Sequence, residues 1–249
     1  MALIASLLPV AARADERATI GRSVQGRPIV LLTDSAPAPA LKVLVVGDIH
    51  GDETAGTRIA RRLIAAKAPA GTELLVVPTI NPDGVAAGTR GNARGVDLNR
   101  NFPFRWRPLG GGEYSGAGPL SEPESRAAHD LILRERPDAT IWFHQPFGLI
   151  DKPEGNPFAA RRFAALIGFP LVRLPGPYPG SASRWQNHRI PQSTAFVAEL
   201  PRHVSTALIE RGTTAVRTLA SELAGPRLDP ASPGLSSVPF GHPTRKRNR

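Results

Sequence analysis

The sequence predicts an α/β fold: one domain with a mixed, mostly parallel central sheet and helices on both faces. Two observations carry that expectation. Runs of strand length such as LKVLVV (41–46) and TELLVVP (72–78) are apolar throughout, without polar alternation, as strands covered on both faces are. Segments of helical periodicity separate them, so strand and helix alternate along the chain. With 249 residues, 41% hydrophobic and 21% charged, the chain can bury a sizeable core and does not have the composition of a disordered protein.

Taken in order, residues 1–14 (MALIASLLPVAARA) read as the end of a secretory signal. A short apolar run leads to Ala12-Arg13-Ala14, an A-x-A cleavage pattern before Asp15, although a basic start is missing. That predicts a secreted or periplasmic protein; an apolar N-terminus is the plainer alternative. Residues 15–228 form the expected single folded domain. Thr19–Thr33 reads as two short strands around a Gly turn, then comes the 41–46 strand and a helix over Thr54–Lys67 with Ile59, Leu63 and Ile64 on one face. After the 72–78 strand, a Gly-, Asn- and Arg-rich loop runs from Asn81 to Gly118. A helix is expected near Ser121, where Ser121 and Glu124 form a capping-box pattern. A strand at ATIWFH, a helix over Phe158–Ile167, a strand at STAFVAEL and a closing helix over Val204–Leu223 complete the order. Residues 229–249, rich in Pro and Gly and then basic, read as a disordered tail. No segment has the length and apolarity of a membrane span.

The net charge of +10 raises a nucleic-acid partner, but only Arg245–Arg249 form a basic cluster and no nucleic-acid motif accompanies it, so none is expected. An anionic wall polymer or an acidic substrate suits the charge equally. The absence of cysteine excludes disulfides and thiolate metal sites, leaving His, Asp and Glu as ligands for any metal.

In open α/β sheets, ligands bind beyond the carboxyl ends of the strands. Four polar residues fall there: His50, Asn81, His144 and Glu199. His50 and Glu53, across a turn through Gly51, can bring an imidazole and a carboxylate to one point. The plainer alternative is a first-turn acid beside a surface histidine. His144 ends an apolar strand, whereas His129 lies mid-helix, His188 in a loop, His203 at a helix start and His242 in the tail. Two His and one Glu leave a tetrahedral zinc one open position, as a catalytic site requires. The stretch GTRGNARGVDLNRNFP (88–103) carries Arg90, Arg94 and Arg100, whose planar guanidinium groups suit bidentate carboxylate binding with help from an Asn. Asp97 reads as a structural partner of that loop. Glu199 is either a general base or an acid merely leaving the sheet.

In this order HGDE, NPDG, GVDLNRNFP, FHQP and AELP resemble the zinc carboxypeptidase family of the carboxypeptidase A type, from about Gly21 to Leu223. NPDGVAAGTRGN and HQP look most like its bacterial murein peptide amidase branch. The resemblance implies one zinc ion held by His50, Glu53 and His144, with Glu199 as catalytic base. It further implies that Arg90 polarises the scissile carbonyl, with Arg94 the competing alignment, and that Asn99 and Arg100 bind a substrate carboxylate. The mobile Tyr of pancreatic-type members has no clear counterpart; Tyr178 is a weak candidate, and Trp185 or His188 could line that wall.

The side-chain pocket is expected within residues 145–190. Asp151 would receive an amine there, and Arg161, Arg162, Arg173 or Arg184 an extra carboxylate. A peptide or murein-peptide substrate ending in diaminopimelate carries both groups. Two alternatives stand beside this: an aspartoacylase-like N-acyl amino acid deacylase, and a non-enzymatic cell-wall binding protein. The sequence does not specify an oligomeric state.

Overall fold

A computed structural model describes residues 16–225, so the expectations for the leader (1–14) and for the tail (229–249) lie outside the described residues. The strands are β1 (Glu16–Arg22), β2 (Pro28–Ser35), β3 (Leu41–Val46), β4 (Thr72–Val77), β5 (Ala139–His144), β6 (Leu149–Asp151), β7 (Leu171–Val172) and β8 (Thr194–Glu199). The helices are α1 (Ala55–Leu63), α2 (Pro82–Ala87), α3 (Pro123–Glu135), α4 (Phe158–Ile167), α5 (Ala182–Arg189) and α6 (Thr206–Ala224).

All eight strands join one sheet in the order β1-β2-β4-β3-β5-β8-β6-β7. Its centre, β4-β3-β5-β8, is parallel, while β1, β2 and β6 pair antiparallel towards the edges. The expected mixed, mostly parallel sheet is therefore present. Alternate residues of β3 serve opposite faces. Val43 and Val45 pack with Ile59 of α1, Phe163 of α4 and Val216 of α6. Leu44 and Val46 pack with Leu131 of α3, Trp142 of β5 and Trp185 of α5. Two-sided burial explains why these strands lack polar alternation.

Several local expectations differ from what forms. The Ser121–Glu124 capping box does not form. Pro123 opens α3 behind Glu122; Ser121 Oγ bonds to Glu122, and Glu124 accepts from Val24 N and Asn92 Nδ2. Proline has no N–H to be capped and fits the first turn, which makes the box redundant. The 81–118 segment holds α2, capped by the Asn81 side chain on Gly84 N (2.9 Å). His188 lies in α5, stacked on Phe104, and α6 starts at a Ser205 cap, which leaves His203 in the turn before it. The short β6, β7 and α5 were not anticipated, because three residues or fewer carry no period and α5 is largely polar.

Candidate active site

The carboxyl ends of β3, β5 and β8 deliver His50, His144 and Glu199 to one cavity of about 350 Å³. His144 and Glu199 are register partners across the parallel β5–β8 pair, so sheet geometry sets their spacing. The turn after β3 reaches the same point because two glycines allow it to lie against the NPDG turn. A Cβ on Gly51 would sit 1.9 Å from the Gly84 carbonyl carbon, and one on Gly84 would sit 2.4 Å from Asn81 Nδ2. Asn81 then braces the turn, its Nδ2 donating to Ile49 O (3.2 Å) and Arg90 O (3.3 Å). Asn81 is thus a structural brace, although its place at a strand end matched that of the ligands.

His50, Glu53 and His144 form a buried group with one donor atom of each within 4.8 Å of the others. His50 Nδ1 lies 3.0 Å from Glu53 Oε1 and His144 Nδ1 lies 2.9 Å from Glu53 Oε2. His50 Nε2 is bonded to Asp97 Oδ1 at 3.0 Å, while its buried Nδ1 has no aligned hydrogen-bond partner. A buried ring nitrogen without an aligned partner, facing a carboxylate oxygen, is what a cation site leaves. Gln145 N donates to Glu53 Oε2 (3.1 Å) and Gln145 Oε1 accepts from Ala55 N (3.0 Å), tying the end of β5 to the start of α1.

Electrostatics follow from this packing. Burial opposes ionisation of Glu53, but the His144 hydrogen bond and the adjacent His50 ring hold its carboxyl well below the usual range. Burial also works against charge on His50; its bond to Asp97 and the adjacent Glu53 carboxylate prevail and raise it to about 9. Burial lowers His144. Glu199 is pushed up to about 7, first by burial and then by the neighbouring Glu53 charge, and its Oε2 is buried without a partner. Asp48, held by Thr57 and Thr79 hydroxyls beneath the turn, is pushed up to about 7 by burial.

Arg90 spans Asp97 and Glu53: Nη2 donates to Asp97 Oδ2 (2.9 Å) and Nη1 to Glu53 Oε1 (3.1 Å), with the guanidinium lining the cavity. Arg94 is half-exposed, points away and pairs with Glu122 at 3.3 Å. Asn99 donates towards His144 Nε2 (3.5 Å) and accepts from Ala182 N (3.0 Å). Arg100 is buried, with Nη1 on Asn99 O (2.9 Å) and Nη2 on Glu113 Oε1 (2.5 Å). Gly180 makes room for it, since a Cβ there would meet Arg100 O at 2.1 Å. Asp151 lines the cavity and accepts Leu174 N–H at 2.9 Å. All eight residues expected to act therefore line or adjoin one space.

A sequence profile of the zinc carboxypeptidase family matches residues 10–157. The chain belongs to the zinc carboxypeptidase family. Murein peptide amidase A of Escherichia coli K12 is 33% identical over 183 residues, 66% of this chain and 74% of that protein. Its namesake from Vibrio campbellii is 31% identical over 209 residues, 77% of this chain and 82% of that one. The crystal structure of the murein-tripeptide amidase of Escherichia coli O157 matches with a TM-score of 0.69 at 28% identity, covering 86% of this chain and 96% of that one. Carboxypeptidase A of Helicoverpa armigera shares the fold, with a TM-score of 0.70 at 19% identity over 84% of this chain and 68% of that one.

As a family member the chain is a metallocarboxypeptidase-type hydrolase, and His50, Glu53 and His144 are a donor set suited to one zinc ion. Three features of the site went unread in the sequence. Asp97 reaches past its own loop to orient His50; Gln145 anchors Glu53; Glu113 sits on Arg100. A triple glycine before Glu113 was the available signal for the last. Tyr178 lies at the cavity between Arg100 and Arg184, whereas Trp185 is in the core.

Proposed function

We propose that this hydrolase cleaves an amide bond next to a free carboxylate in a murein peptide containing diaminopimelate. The observation that carries the proposal is one cavity holding the His50–Glu53–His144 group, the unpartnered Glu199 carboxyl and the buried Arg100 guanidinium.

A zinc ion held by His50, Glu53 and His144 would act as a Lewis acid on the scissile carbonyl and lower the pKa of attacking water. Glu199, with a free Oε2 and a pKa near 7, takes the proton from that water and returns it to the leaving amine. Arg90 places fixed positive charge beside Glu53, where the oxyanion develops. Asp97 holds the His50 proton on Nε2 and keeps Nδ1 free as a donor atom. Arg100, supported by Asn99, grips the carboxylate and so sets the cleaved bond at a fixed distance from the chain end. Asp151 receives an amine of the substrate side chain. The likeness to murein peptide amidases supports the substrate class. The signal-like start and the charge of +10 support export to an anionic wall.

Zinc-loaded protein incubated with L-Ala-γ-D-Glu-diaminopimelate, ordinary peptides and N-acyl amino acids tests the proposal. Release of diaminopimelate is expected. Hydrolysis of ordinary peptides alone refutes the murein assignment, and hydrolysis of N-acyl amino acids alone points to a deacylase. Fractionation of producing cells checks export, with the protein expected outside the cytoplasm.

A further inference from the structure

Five arginines follow His144 within residues 145–190, and the structure separates them. Arg162 is committed to Glu222, joining α4 to α6 at 2.6 and 2.7 Å. Arg161, Arg173 and Arg189 are exposed to solvent and do not line the cavity. Arg184, in the first turn of α5, lines it with a side chain only 14% exposed.

What holds Arg184 is backbone, not charge. Its Nη1 donates to Gly176 O (3.1 Å) and Pro177 O (2.8 Å), and the Tyr178 ring lies 4.8 Å from Cζ. Carbonyl oxygens and an aromatic face orient a guanidinium without neutralising it. The carboxylate nearest to pairing, Glu154, is 3.9 Å away at the outer limit of an ion pair. The same cavity presents Asp151, whose Oδ1 is used by Leu174 N–H and which has no ion-pair partner among the described residues. Burial holds the Asp151 carboxyl above its usual value, against the pull of the Arg184 charge. Two opposite charges thus border one space, near enough to act on each other and too far apart to pair.

We infer that Arg184 is a specificity-determining residue that binds a second substrate carboxylate beside the amine taken by Asp151. The pocket thereby selects a side chain ending in a zwitterion, an ammonium and a carboxylate on one carbon. The inference rests on the cleavage proposed above. A zwitterion satisfies both charges and brings no net charge into a partly desolvated site, whereas an amine alone leaves Arg184 without an anion. Tyr178 faces both Arg100 and Arg184, so one ring joins the guanidinium that takes the carboxylate near the scissile bond to the one that takes the distal carboxylate. An ordinary peptide C-terminus offers only the first.

Lysine is diaminopimelate without its distal carboxylate, which makes the pair a direct probe. Hydrolysis of L-Ala-γ-D-Glu-diaminopimelate and of the same peptide ending in lysine is compared for the parent protein, Arg184→Met and Arg184→Lys. Calorimetry of free diaminopimelate and free lysine provides a readout independent of turnover. The parent protein is expected to favour the diaminopimelate peptide by about ten- to a hundredfold in kcat/KM. Arg184→Met should lose that preference through KM, with a much larger rise on the diaminopimelate peptide than on the lysine peptide, and Arg184→Lys should retain part of it. Equal treatment of both peptides by the parent protein, or an equal loss on both in Arg184→Met, overturns the role of Arg184 and leaves the cleavage proposal standing. Failure of the parent protein to cleave either peptide overturns both.

Discussion

His50 Nε2 and Asp97 Oδ1 lie 3.0 Å apart, and this one bond decides which imidazole nitrogen faces Glu53. Because the Nε2 proton is committed to Asp97, Nδ1 is left as the donor atom. Asp97 is itself buried; burial opposes its charge, but the His50 bond and the nearby arginines hold its carboxyl well below the usual range. Asp97→Asn keeps the shape and removes the charge. Zinc affinity is expected to fall about 10- to 100-fold, as measured by competition with a chromogenic chelator. Unchanged affinity would show that the loop alone positions His50.

Glu199 supplies the second prediction. Glu199→Gln should bind one equivalent of zinc and lose about 10²- to 10⁴-fold in kcat. Its pKa, raised to about 7 first by burial and then by Glu53, means that the working ionised form accumulates only as pH rises through that value. Activity should therefore climb with pH on the acid limb, and Glu199→Gln should abolish that limb in its residual rate. The stability sign is opposite. A carboxyl whose folded-state pKa is raised favours folding below its unfolded value, and that contribution is lost as pH rises through about 7. The base is kept ready at the expense of the fold.

Metal binding should be visible in stability as well. His50 and Glu53 come from the turn between β3 and α1 and His144 from the end of β5, so a shared ion ties distant segments of the folded state only. Zinc at about a thousandfold over its Kd adds about 4 kcal/mol, on the order of 10 °C in Tm for a domain of this size. A melting curve with and without chelator measures this. No shift would mean that the group does not hold the ion.

Glu113 occupies the guanidinium proposed to take the substrate carboxylate. Its Oε1 is 2.5 Å from Arg100 Nη2, and it stands on a turn whose glycines 110, 111 and 112 face open space. A buried arginine needs an anion, and Glu113 provides it until a substrate carboxylate takes its place. Glu113→Gln removes that competitor, so KM for carboxylate-ended peptides should fall several-fold with kcat little changed. A rise in KM would instead make Glu113 a substrate contact.

The legible parts of this protein were those in which one physical demand repeats. Two-sided burial wrote β3, β4, β5 and β8 as apolar runs, and metal ligation put His50, Glu53 and His144 at strand ends. Edge pieces such as β6 and β7 were not legible, because two or three residues carry no period. Asn81 shows the opposite limit: its position resembled that of a ligand, yet its side chain is used up bracing backbone. Partners remote in sequence, such as Glu113 on Arg100 or Gln145 on Glu53, depend on tertiary approach and leave little trace in the local pattern.

Gly51 tests how tightly that approach is specified. The turn carrying His50 and Glu53 lies on the α2 entry so closely that a methyl on Gly51 would fall 1.9 Å from Gly84 C and 2.3 Å from Val85 N. Both are backbone atoms, which no change of rotamer can move. Gly51→Ala must therefore separate the two turns, stretching the Asn81 Nδ2 bond to Ile49 O (3.2 Å) and shifting His50 and Glu53 away from His144. Overpacking of this kind costs about 3 kcal/mol or more. Urea unfolding should show that loss, and zinc affinity should fall with it, because the backbone that moves is the backbone that aims the ligands. A variant with unaltered stability and full zinc binding would mean that the turn can relax without moving the site.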